Sequence, residues 1–258
     1  MYSRDSGFSA GCVVQVIRQA KAQAASAFQL GEPCADCEIR EIGVCSSLNP
    51  GELEQVRRIV STLTLHAGQA AIVEGEPAQD LFNVIAGAVK LYKLLPDGRR
   101  QITGFLSAGD FLGIAYNDTY AYTAEAVTDV KLCRFPRRRL EALLPEHPAL
   151  ERRLLGEAAH ELVAAQDQML LLGRKTAMER VASFLLMLAK RAARMRKSES
   201  RLEVPMTRTD IGDYLGLTTE TVSRAISRMR DDKIVSVETR GHVVILDREA
   251  LERLTEGE

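Results

Sequence analysis

No apolar run in this sequence approaches the roughly 18 residues that a membrane-crossing helix needs, so no membrane partner is expected. The opening residues, MYSRDSGFSAGC, have no apolar core of the secretory type. These two absences set the expectation of a cytoplasmic protein with reduced thiols. An even cysteine count is also missing. Cys12, Cys34, Cys37, Cys45 and Cys133 make five, which argues against a disulfide framework. There is no Gly-rich phosphate loop and no Ser/His/Asp set. The four histidines, His66, His147, His160 and His242, are scattered. Nothing here resembles catalytic machinery, and no enzyme is expected. Net charge is only −1, so no strong single-sign field marks the chain.

What is present begins with a cysteine cluster. Residues 34–45 read CADCEIREIGVC, a C-x2-C-x7-C spacing. Clustered cysteines in a reducing compartment more often bind metal or do redox chemistry than form disulfides. A thiolate site needs four sulfurs, and the cluster offers three. The fourth comes from Cys12 or Cys133. Structural zinc and a thiol redox sensor stand beside an iron–sulfur cluster as readings of this motif.

The rest of the chain changes texture three times. Residues 1–33 read as a flexible tail. Asn49 or Ser47 can cap a short helix over 50–60. From about 62 to 135 short apolar stretches alternate with turn signals, the pattern of a sandwich or jelly roll. Pro96-Asp97-Gly98 marks a hairpin. A long helix follows, from near Pro148 to a cap near Gly173. Within it Leu155, Ala158, Leu162, Ala165, Met169 and Leu172 recur at intervals of 3, 4, 3, 4 and 3. This is a heptad seam, which suits a helix pairing with its copy in a homodimer better than one lying on its own sheet. The seam carries no charge, so a tight dimer is expected. Another helix spans 174–197 and ends in the basic run KRAARMRK.

The C-terminal third holds 17 Lys+Arg and 14 Asp+Glu, leaving 17 and 21 of the 34 and 35 for residues 1–172. That mild excess points to the end of the chain where nucleic acid is to be sought. Residues 206–230 read MTRTDIGDYLGLTTETVSRAISRMR. Thr207 and Asp210 have capping-box spacing, Gly216 supplies a turn and Thr218 caps a second helix. Val222, Ile226 and Met229 bury that helix. Its other face carries Thr219, Glu220, Ser223, Arg224, Ser227 and Arg228. Such a pair predicts a helix-turn-helix whose second helix enters the major groove of double-stranded DNA. Arg224 can fork onto guanine, Glu220 can accept from cytosine, and Ser223 can reach a base or phosphate. IVSVETRGHVVIL then reads as a hairpin about Arg240-Gly241, giving a winged helix. The plainer reading is a structural helical hairpin with a polar face.

A sandwich, a dimer helix and a winged helix-turn-helix, in that order, resemble the Crp/Fnr family of bacterial transcription regulators over about residues 45–250. ETVSR at 220–224 is similar to the recognition helix of the Fnr branch, as are QITGFLSAGDFLG at 101–113 and MLLLGRKTAMERVASF at 169–184. The resemblance implies an α+β fold: a cyclic-nucleotide-binding-like β-roll sensor domain with the cysteine segment (34–147), a dimerisation helix (148–173) and a winged helix-turn-helix (174–258). It implies an oxygen-sensing activator whose [4Fe–4S] cluster is held by Cys34, Cys37, Cys45 and Cys133, with Cys12 outside the pattern. The x7 spacer is similar to a long-spacer subgroup. TTGAT-type palindromes read by Glu220, Ser223 and Arg224, anaerobic or microaerobic target genes, and contact with RNA polymerase through loops such as 95–98 are further implications. Asp36, Glu38 and Glu41 stand along the chain beside the cysteines and are expected to favour cluster oxidation. Family members that bind cyclic nucleotide carry Gly-Glu and then an arginine. Here Asp110 follows Gly109 and no arginine lies between Arg100 and Arg134, so no cyclic nucleotide is expected.

Overall fold

The computed structural model describes residues 34, 37–115, 117–195, 197–238 and 241–256. The N-terminal tail with Cys12, and Asp36 and Arg240, lie outside the described residues. A 3-10 turn at Val44–Ser47 leads into α1 (Pro50–Arg57). Asn49, not Ser47, caps α1: its side chain accepts from the Glu52 N–H at 3.0 Å and the Glu52 carboxylate accepts from the Asn49 N–H at 2.8 Å.

Eight strands follow: β1 (Ser61–Leu65), β2 (Ala70–Ile72), β3 (Asp80–Ala86), β4 (Val89–Leu94), β5 (Arg100–Leu106), β6 (Phe111–Leu112), β7 (Thr123–Ala126) and β8 (Val130–Pro136). They form two four-stranded sheets, β1-β8-β3-β6 and β2-β7-β4-β5. Leu65, Ile72, Val84, Leu91 and Leu132 fill the space between them. Alternation sends the next residues outward. On β8, Val130 and Leu132 face the inner core, while Cys133 and Phe135 face a second core.

The first sheet is covered by the cysteine segment, α1, α2 (Arg137–Leu143) and the start of α3 (Pro148–Arg174). Gly173 does not end α3. The helix runs one residue further and Lys175 is its cap. α4 (Ala177–Arg194) starts on a Thr176–Glu179 capping box. The C-terminal region adds β9 (Arg201–Glu203), α5 (Arg208–Leu215), α6 (Thr219–Asp231), β10 (Val235–Glu238), β11 (His242–Ile245) and α7 (Arg248–Glu256). Its sheet has the order β10-β11-β9. The fold is the mixed α+β arrangement read from the sequence.

The C-terminal helices pack on the outer face of the second sheet. Tyr92, Ile102 and Phe105 share one core with Phe184, Leu185, Tyr214 and Met229. The Phe105, Phe184 and Tyr214 rings lie 5.3–6.1 Å apart. Each such pair adds about 0.5–1.5 kcal/mol beyond its buried area. The roll and the C-terminal region are therefore docked by a substantial apolar contact.

Candidate functional site

Cys133 is buried in the outer core of the first sheet, and Cys34, Cys37 and Cys45 pack against that same core with Ile39, Val44 and Phe135. The strand register places Cys133 between Thr62 of β1 and Asn83 of β3. Two features bring the cysteine segment there. Gly43 approaches so closely that a side chain would collide with the Asn83 amide. The Ile42 carbonyl accepts from Arg153 Nη2 of α3 at 2.9 Å. Arg153 also pairs with Glu157 at 3.1 Å. The cysteine segment is thereby hooked to the long helix, a link the sequence pattern did not reveal.

The thiols sense one another. Burial raises the Cys133 pKa well above the ordinary thiol value, and the charges of Cys45, Cys34 and Cys37 raise it further. Burial, then Cys34 and Cys37, push Cys45 up to about 12. Burial and Cys37 raise Cys34. The charges that reach these sulfurs from side chains are chiefly Arg57 and Arg40, with Glu54. Glu38 and Glu41 are exposed. Among the described residues the charges acting on Cys34 and Cys45 are thus partly cationic; Asp36 lies outside those residues.

Among the described residues, no group of three or more His, Cys, Asp or Glu side chains is arranged to hold a metal ion. A single tetrahedral zinc, with Zn–S bonds of about 2.3 Å, gathers its sulfurs to about 4 Å of each other. A [4Fe–4S] cluster takes one thiolate per iron and asks for a wider set. The donor chemistry suits either group: four soft sulfur ligands lie against one apolar corner, with the Arg57 and Arg40 guanidinium groups near enough to offset thiolate charge.

On α3 the seam is mostly bare. Leu155, Leu162 and Met169 are 71%, 61% and 70% exposed, and Ala165 is exposed too. Ala158 is half-buried. Leu172 is half-buried against the C-terminal core.

The reading head is built from α5 and α6. Gly216 between them adopts the left-handed conformation, φ 63°, which costs a residue with a side chain about 1–2 kcal/mol. Thr218 caps α6, its hydroxyl accepting from the Thr221 N–H at 3.2 Å. Val222, Ala225, Ile226 and Met229 bury one face of α6. Thr219, Glu220, Arg224 and Arg228 are exposed on the other side, with Ser223 half-buried. Hydrogen bonds from its own backbone N–H and from Thr218, and then the Arg224 charge, hold the Glu220 carboxyl below the usual range. Arg228 is tied to Asp232 at 2.8 Å. That leaves Arg224, which donates to Thr221 over a long 3.4 Å contact, as the more available fork. Arg208 opens α5 half-buried, its pKa lowered by burial. Such a cation suits a phosphate oxygen. The sequence reading missed it, although its place in the first turn of a capped helix was an available signal.

Comparison with known proteins gives two domain matches. Residues 62–147 match the cyclic nucleotide-binding domain and residues 179–254 the Crp-like helix-turn-helix domain. Over 224 residues the chain is 38% identical to the nitrogen fixation regulation protein FixK of Bradyrhizobium diazoefficiens, spanning 87% of this chain and 94% of FixK. It is 38% identical over 218 residues to the transcriptional activator protein FnrL of Cereibacter sphaeroides, spanning 83% and 88%. The structure of FixK2 from Bradyrhizobium japonicum matches with a TM-score of 0.72 at 40% identity, covering 76% of this chain and 97% of that one.

Proposed function

Since this chain belongs to the Crp/Fnr family of transcription regulators and is a DNA-binding regulator rather than an enzyme, we propose that it is an oxygen-responsive activator. Its Cys34, Cys37, Cys45 and Cys133 hold a [4Fe–4S] cluster, and it reads TTGAT-type palindromes as a homodimer. The observation that carries this reading is the apolar corner where three sulfurs of the cysteine segment meet the one on β8. When bound, such a cluster supplies an oxygen-labile centre. The chain's own residues do the rest. The four cysteines tie the segment to the roll, and Arg153 passes its position to α3. The bare seam of Leu155, Leu162 and Met169 pairs with its copy. Two α6 helices then stand about one DNA turn apart, with Arg224, Glu220 and Ser223 at the bases and Thr219 and Arg228 beside them. The β4–β5 tip, with Leu94 and Leu95 exposed, is offered to RNA polymerase. No cyclic nucleotide takes part. The Asp110 carboxylate is committed to the Ser107 N–H at 2.9 Å and to Arg191 at 3.4 Å.

Anaerobic purification tests this directly. The reading expects a brown protein with about four irons per chain and matching sulfide, bleached by air, that binds the palindrome more tightly before bleaching. A colourless protein carrying zinc overturns the oxygen sensor and leaves the DNA reader. The uncharged seam adds a second expectation: the protein without its cluster sediments as a dimer at micromolar concentration, and a clean monomer sinks that part.

A further inference from the structure

Helix α5, the first helix of the reading head, is gripped at both ends by side chains from outside the head. At its start, the two carboxylate oxygens of Asp210 serve two masters. Oδ2 accepts from the Thr207 hydroxyl at 2.7 Å and the Thr207 N–H at 3.2 Å, completing the helix cap. Oδ1 accepts from Lys90 Nζ of β4 at 3.0 Å and from Arg100 Nη2 of β5 at 2.9 Å. Lys90 also pairs with Glu125 of β7 at 3.0 Å. Arg100 reaches Asp213 at 2.8–2.9 Å, and its guanidinium stands 5.4 Å from the centre of the Tyr92 ring. At the other end of α5, the Asp213 carbonyl accepts from Gln101 of β5 at 2.8 Å, the Tyr214 carbonyl from Gln168 of α3 at 2.6 Å, and the Leu215 carbonyl from Arg180 of α4 at 2.9 Å.

An apolar contact alone is non-directional and tolerates sliding. The aromatic cluster of Phe105, Phe184 and Tyr214 is of that kind. The polar grip is not. Lys90 and Asp210 are only 8% and 4% exposed. A shift of α5 that broke the contacts of Asp210 with Lys90 and Arg100 would leave that buried carboxylate without a cationic partner, a heavy penalty. Buried ion pairs add little stability over apolar packing, but they do specify one arrangement.

We propose that Lys90, Arg100 and Gln101 of the roll, with Asp210 and Asp213 of α5, are positioning residues for DNA recognition. They make α5 a rigid bracket that sets the angle of α6 on the roll, and so the half-site separation that the dimer reads. The inference rests on the reading of the chain as a dimeric palindrome binder.

The test uses the full chain and palindromes of TTGAT-type half-sites with spacers one or two base pairs shorter or longer than the preferred one. The wild type discriminates between spacers by about tenfold or more, the scale of a typical coupling between sites. Arg100→Asp sets three carboxylates together and narrows that ratio to about threefold or less, while affinity for a single half-site stays put. The double exchange Arg100→Asp with Asp213→Arg restores part of the ratio. Gln101→Ala, which removes only a carbonyl partner, narrows it to a smaller extent and serves if Arg100→Asp does not fold. A wild-type spacer profile in folded variants overturns the inference alone. So does a parallel fall in half-site affinity, because that marks a merely structural role. A wild type without any preference for a palindrome overturns the DNA reading and the inference together.

Discussion

The corner around Cys133 and the joint around Asp210 both bury ionisable side chains against the roll, on opposite sheets, and they treat them in opposite ways. In the corner, burial is the largest influence and raises the thiol pKa values, and neighbouring sulfurs add to it. Arg40 and Arg57 relieve this only in part. Cys34, Cys45 and Cys133 are thereby shifted toward the neutral thiol. At the joint, burial also pushes Asp210 up, but hydrogen bonds from Thr207 and Lys90 and the Lys90 charge outweigh it, and the pKa ends below the ordinary value. Burial with only partial countercharge favours the neutral thiol, whose proton a soft metal can replace. Burial with countercharge locks a group charged, in one direction. The first suits a labile sensor and the second a rigid bracket.

The widest separation of the two regions is expected from paired substitutions. Cys133→Ala should abolish iron binding in anaerobically isolated protein and cost about 1 kcal/mol in denaturant unfolding. Equal iron in variant and wild type would break the assignment of Cys133. Asp210→Ala should do the reverse. It removes the Asp210 half of the α5 capping box and leaves Lys90 with Glu125 alone, costing about 1–3 kcal/mol, and leaves the iron count alone. A loss of under 1 kcal/mol would mean that the joint is wet or already open. Arg224→Ala lies in neither region and is the control. It should weaken palindrome binding by about 1–3 kcal/mol and relax selection at one base, measured by titration on substituted half-sites, with iron and stability unmoved.

The smallest effect probes the same rule at a single carboxyl. Glu161 of α3 is raised from 4.5 to about 7 by burial, then by Glu157 and Asp110; its charge also raises the Tyr122 pKa. The folded chain holds the proton more tightly than the unfolded chain does. This contribution to stability is therefore full below pH 4.5 and is lost as pH rises through 7. Glu161→Gln should flatten that slope, by on the order of 1 kcal/mol, in unfolding curves taken across the range. An unchanged slope would place the titration elsewhere.

Local signals in the sequence carried most of the architecture. The Thr207–Asp210 cap, the turn at Gly216 and the apolar positions of α6 each depend on residues within a few places of one another, so one-dimensional spacing describes them well. The strand alternation of the roll is local in the same sense. The end of α3 was misjudged because a glycine was taken as a cap although the helix continues through it. The influence of Arg57 on Cys34 was not read because that residue lies outside the cysteine segment, on α1.

By itself, then, the sequence determined what periodicity and capping can express: the helices, the hairpins, the uncharged seam, the exposed face of α6 and the family. Only the tertiary structure decided which side chains meet across distance. The register of β8 against β1 and β3 brings Cys133 under the cysteine segment. The packing of the second sheet on α5 sets Lys90 and Arg100 on one oxygen of Asp210. Such contacts join residues that are far apart in the chain. No local propensity encodes them, and they form only when two buried surfaces close over one another.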